Sequence, residues 1–166
     1  MQKANIRSED ADGVPCMVKR MQFVDEDRDR FHVQAFLREM SITAEASAAP
    51  FTVVAIPKDA RVIDDVHTVY VRTRMCEDGS LLERMREHDE VLRANRESGE
   101  YPLPYYPFRL IALYTYELVT ALVVLHALGI AHNDIKLDNI FMEHRHVVRL
   151  GDFGLACRYA RGNVYM

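Results

Sequence analysis

Two short stretches, "HNDIKLDN" (132–139) and "GDFG" (151–154), carry groups that could do chemistry together. Asp134 offers a carboxylate able to accept a proton or hold a hydroxyl, and Lys136, two positions on, adds a compact positive charge. Asn139 supplies a neutral amide oxygen, a hard ligand suited to Mg2+. Thirteen positions later Asp152 adds a carboxylate on a glycine-flanked turn that can approach a ligand closely. Base, cation, metal amide and metal carboxylate are the parts phosphoryl transfer requires, a chemistry made mostly of positioning and charge neutralisation. The plainer alternative is a solvated surface loop.

Those residues need elements to hold them. "VPCMVKRM" (14–21) is rich in β-formers after the turn-like "DADG", which predicts a strand following a hairpin turn. "FHVQAFLREMSITAEA" places Phe31, Ala35, Leu37 and Ile42 near helical spacing, with Asp25 to Asp29 at its positive end and Pro50 closing it. "FTVVAI" and "HTVYVRTRM" read as strands separated by "PKDARVIDD". "EDGS" is a turn, "LLERMREHDEVLRANRES" a charged helix, and "GEYPLPYYPF" a Pro-rich loop. A long helix starts near Phe108, carries Ile111, Leu118, Leu122 and Leu125 on one stripe, and ends at Gly129. "HVVRLGDFG" is a strand entering a glycine turn. The order predicts an α+β arrangement in two lobes joined near Met75 to Gly79.

The catalytic stretch resembles the H-R-D-x-K-x-x-N loop of the eukaryotic protein kinase family, and "GDFGLA" resembles its D-F-G motif. The resemblance implies a protein-kinase-like bilobal α+β fold, with about 1–75 as N-lobe, 76–79 as hinge and 80–166 as partial C-lobe. It implies ATP and Mg2+ as cofactors and a protein as substrate. Asp134 is then the catalytic base, Lys136 contacts the transferred phosphate, and Asn139 and Asp152 hold Mg2+. Lysine two places after the aspartate resembles the serine/threonine group. Lys19 in "CMVK" resembles the strand lysine that grips the phosphates and Glu39 its helical partner, with Arg38 and Lys58 as alternatives. "VYVRTRMCEDGSL" resembles the hinge, so backbone groups of Arg74, Met75 and Cys76 bind the adenine and Thr73 guards the back of the pocket. His132 matches the motif histidine and is expected to be structural, while His126 is expected in the core.

Four departures mark this chain. No G-x-G-x-x-G precedes Lys19, and no A-P-E follows "GDFGLACRYARGNVYM", so the resemblance implies a single domain truncated at both ends. Met17 stands where the family's V-A-I-K strand has a small alanine above the adenine. Asn133 replaces the motif arginine that pairs with an activation phosphate, so activity independent of that phosphorylation is expected. A truncated lower lobe is expected to expose apolar surface on the 108–128 helix, which implies instability, oligomerisation or a partner there. Three readings follow: a serine/threonine kinase, a catalytically inactive kinase mimic that binds a partner, and a fragment without independent activity.

Bulk properties narrow the classes. At 166 residues, 49% hydrophobic and 28% charged, the chain is a globular protein rather than a disordered one. A net charge of -4 supplies no basic patch for nucleic acid. Cys16, Cys76 and Cys157 form neither a disulfide framework nor a zinc motif and fit a reducing compartment. "MQKANIRSEDADG" lacks a signal-peptide core, and the apolar run 118–131 is shorter than a bilayer span. A soluble intracellular protein without a membrane partner is expected.

Overall fold

The computed structural model describes residues 2–9, 13, 15–22, 26–52, 61–63, 68–98, 107–144 and 146–159. Residues 53–56 of the run expected to be a strand, Lys58, the Pro-rich stretch 99–106 and the chain end 160–166 lie outside them.

Four antiparallel strands, β1 (Gln2–Glu9), β2 (Pro15–Gln22), β3 (Arg61–Ile63) and β4 (Thr68–Arg74), form a sheet in the order β1-β2-β4-β3. The separator "PKDARVIDD" therefore contains a strand, its Val-Ile pair lying in register with Val69 and Thr68. Met17 pairs with Thr73 and Lys19 with Val71. Side chains two apart on a strand share a face, so Met17, Lys19 and Thr73 look to the same side.

Helix α1 (Glu26–Ala46) takes in most of the acidic run expected to precede it. Its buried face is Phe36, Ile42, Thr43 and Ala46, whereas Ala35 and Leu37 are exposed. Ile42 is buried as expected, whereas Phe36 takes the inward place expected of Leu37, because the two are adjacent apolar residues and only packing chooses between them. Thr52 donates to Ala46 O (2.8 Å) and Ala49 O (2.9 Å), while Leu150 N donates to Phe51 O (2.8 Å). These bonds fasten the end of α1 to the later strand β7 (Val147–Leu150).

Helix α2 (Leu81–Glu97) opens with a capping box: Ser80 Oγ accepts from Glu83 N, and Ser80 N donates to Glu83 Oε2 at 2.7 Å. Glycine is required just before it. Gly79 has φ +73, and a Cβ there would meet Glu83 Oε2 at 2.6 Å.

Helix α3 (Phe108–Ala127) buries Tyr114, Glu117, Ala121 and Leu125. Leu118 and Leu122 flank that face, but Ile111, two turns before Leu118 on the same stripe, is exposed. His126 is exposed too, a correction to its core assignment. It sits one residue past Leu125 on the helix and rests edge-on to Tyr159. The 20 residues of α3 have the length and hydropathy of a membrane span, longer than the 118–131 run suggests. Gly129, φ +73, ends the helix by donating to His126 O at 3.0 Å.

Beyond it, β5 (Ile130–Ala131) pairs with β8 (Cys157–Arg158), and β6 (Ile140–Glu143) forms a hairpin with β7. Leu125, Ile130, Met142, Val148, Leu150 and Phe153 are almost fully buried together. Each such side chain contributes about 1.5–3 kcal/mol relative to exposure. This core supports the loops on either side of the hairpin.

Candidate active site

The loop from His132 to Asn139 leaves β5 and enters β6 through a 3-10 turn at Leu137–Asn139. His132 is buried, its ring 5.0 Å from that of Phe153. Its Nε2 lies 3.0 Å from Gly151 O, and a carbonyl only accepts, so Nε2 carries the proton. Nδ1 is thereby left to accept from Asp134 N at 3.3 Å. Burial pushes the imidazole below its usual range, consistent with this neutral tautomer. The histidine ties the two loops and is no base.

Asp134 Oδ2 receives Lys136 Nζ at 2.9 Å and Asn139 Nδ2 at 2.8 Å. The Lys136 hydrogen bond, then that of Asn139, holds the carboxyl below the usual aspartate range, while Asp134 raises Lys136. Asn139 Nδ2 also donates to Asp134 O at 2.8 Å, which directs the amide nitrogen towards Asp134 and the oxygen away from it. Gly151 N donates to Asn139 O at 2.9 Å, closing the open end of the β6–β7 hairpin.

Asp152 follows directly, in the left-handed region at φ +60 and exposed, its Oδ1 3.4 Å from Gly154 N. Phe153 is buried beside His132 and beneath α1. On the other side, Lys19 of β2 and Glu39 of α1 form an ion pair. A Cβ at Gly154 would lie 3.2 Å from Asp152 Oδ1 and 3.7 Å from Glu39 Oε2, so the pair borders the Asp152 turn. Arg38, the residue before Glu39 on α1, is exposed.

Lys19, Glu39, Asp134, Lys136, Asn139 and Asp152 thus lie along one continuous set of contacts. Arg74, Met75 and Cys76 stand apart, at the end of β4. Met75 N reaches Pro15 O at 3.5 Å, and Met142 N donates to Gly79 O at 2.8 Å. Burial, then the nearby Glu143 carboxylate, pushes the Cys76 thiol up to about 11, so it stays protonated. Arg74 and Met75 line a cavity of about 170 Å3 with Pro15 and His144.

The donor set suits Mg2+. Among the described residues no group of three His, Cys, Asp or Glu side chains could cage a metal. Mg2+ instead uses one or two carboxylates completed by substrate phosphates, and Asp152 with the Asn139 amide oxygen offers that kind of half-site.

Two contacts escape a reading of the sequence. Glu117 accepts from Val148 N at 2.9 Å, and Asn133 reaches the segment after Phe153. A single carboxylate inside the apolar "YTYELVTALVV" is the signal that points to Glu117.

A family model described as a protein kinase domain matches residues 7–166. The serine/threonine-protein kinase plk-2 of Caenorhabditis elegans is 33% identical over 93 residues, covering 56% of this chain and 12% of that protein. Serine/threonine-protein kinase Nek9 of Mus musculus is 30% identical over 92 residues, 55% of this chain and 8% of the relative. A ribosomal protein S6 kinase-related protein of Homo sapiens is 42% identical over 57 residues, 34% of this chain and 14% of the relative. Each alignment spans about a tenth of the length of these relatives.

Proposed function

The chain belongs to the protein kinase family, and from that premise we propose that it transfers the ATP γ-phosphate to serine or threonine of a protein substrate. The observation that carries this is the contact set joining Lys19–Glu39, the Asp152 turn and the Asp134–Lys136–Asn139 cluster. Serine/threonine preference is supported by Lys136, two places after Asp134, and by the names of the relatives.

In this reading Lys19, oriented by Glu39, grips the non-transferred phosphates. Asn139 and Asp152 would hold Mg2+, which when bound would neutralise phosphate charge. Asp134 orients the acceptor hydroxyl. Because Lys136 and Asn139 keep its carboxylate ionised, it is a weak base, and it takes the proton late, as the bond to phosphorus forms. Lys136 faces the charge on the transferred group. Residues 76–79 form the hinge between an N-lobe at about 1–75 and a C-lobe at about 80–166, the backbone of Arg74 to Cys76 receives the adenine, and the protein acts inside the cell.

The test is transfer of labelled γ-phosphate to a generic protein substrate by the chain and by Asp134→Asn. Loss of a general base costs typically about 10²–10⁴-fold. Equal transfer by both removes Asp134 from the chemistry.

A second role, partner binding, is favoured by the outer face of α3. Phe108 is 81% exposed, and Ile111, Tyr116, Val119 and Val123 continue an apolar groove of about 660 Å3. Gel filtration showing a well-behaved monomer across concentrations would argue against a partner there.

A further inference from the structure

We propose that Asn133 and Arg158 are positioning residues that fasten the segment after Phe153 without a phosphate, and so hold the Asp152 turn beside Asp134. The catalytic consequence rests on the kinase reading; the fastening does not.

Asn133 occupies the place of the motif arginine, at φ +62, a conformation asparagine tolerates better than most residues. Its Nδ2 donates to Leu155 O at 3.3 Å and reaches Cys157 Sγ at 3.3 Å, straddling the buried Ala156. The arginine of the family's motif at this place is expected to pair with a charge added to the following segment. The asparagine needs none, because its acceptors are a main-chain carbonyl and a neighbouring thiol.

Arg158 secures the other side. Its Nε and NH2 donate to Glu45 Oε2 at 3.1 and 2.7 Å, and NH2 also donates to Ser41 Oγ at 3.0 Å. Ser41 and Glu45 are four apart on α1 and so lie on one helix face. Glu39, on the same helix, pairs with Lys19. Tyr159 adds a third anchor: its N donates to Gly129 O at 2.9 Å and its hydroxyl to His126 O at 2.9 Å. The segment is therefore held by the catalytic loop, by α1 and by the end of α3. A helix bound at both Glu39 and Glu45 couples the phosphate-gripping lysine to the segment, and such coupling is reciprocal.

The experiment uses the whole chain. Variants Arg158→Glu, Glu45→Arg and the double swap are compared by amide hydrogen exchange at Ala156 and Tyr159, by melting temperature, and by kcat and KM for ATP. Exposed ion pairs add little to global stability, so melting should hardly move. Each single reversal should speed exchange and lower kcat about fivefold or more, and the swap should restore both. Asn133→Gly keeps the backbone conformation, loses the donor, and should reproduce the fault. Exchange unchanged in Arg158→Glu, or a swap that restores nothing, overturns the proposal. If the unaltered chain transfers no phosphate, the kinase reading fails, and the exchange data alone decide the fastening.

Discussion

Glu117, buried within the apolar helix α3, accepts a hydrogen bond at 2.9 Å from the backbone nitrogen of Val148, thirty-one residues later. Val148 lies in the hairpin β6–β7. Asn139 immediately precedes that hairpin, and Asp152 stands two residues past its end. One carboxylate therefore sets where the helix holds both proposed metal ligands.

Removing that acceptor leaves a buried N–H unpaired. Glu117→Ala should destabilise the fold by about 1–3 kcal/mol, and Glu117→Gln, which keeps a side-chain oxygen, by clearly less. Urea unfolding midpoints decide it; equal losses would mean that the contact does not carry the effect.

The Lys19–Glu39 pair predicts nucleotide binding. Lys19→Met removes the cation proposed for the phosphates and leaves Glu39, whose side chain is 11% exposed, without it. Affinity for ATP with Mg2+ should drop roughly tenfold or more, as expected for a lost charge-assisted contact. Calorimetric titration measures this, and an unchanged Kd would place the triphosphate elsewhere.

Met17 and Thr73 face each other across β2 and β4, where the adenine is expected. Met17→Ala should open that space and tighten ATP binding by about tenfold, the scale of a few methylene groups in an apolar pocket. Weaker binding would show that Met17 packs on the base instead of crowding it.

Acid should destabilise the protein in a defined window. Burial holds His132 below its ordinary range, so the unfolded chain takes up that proton first as pH falls. The contribution is complete above the free imidazole value of about 6.5 and is lost as pH drops through the folded value. Asp134, also lowered, adds a further loss below about pH 4. Melting temperature followed from pH 8 to 4 should fall on the acid side. A rise between pH 6.5 and 5 would contradict a buried neutral histidine.

Much of the candidate site is legible in the sequence because its parts are local. Asp134, Lys136 and Asn139 fall within six positions, and a short hairpin leads directly to Asp152. What escapes depends on long-range packing. Leu37 and Phe36 satisfy helical spacing almost equally, and only the fold decides that Phe36 goes inside. His126 looks like core on the apolar helix α3, yet one residue of rotation puts it outside. The strand Arg61–Ile63 is three residues long among charges and is specified by pairing with β4. Asn133 reads as a lost arginine until its two acceptors, more than twenty positions away, come within reach.

The bond from Gly151 N to Asn139 O gives the site an unequal construction. One half is written into a single ribbon of chain and persists wherever that ribbon folds. The other half comes into being only when α1 docks against it. On the proposed reading, tilting α1 would part Glu39 from Lys19, the side meant for the triphosphate, while Asn139 and Asp152 stay joined through the Gly151 bond.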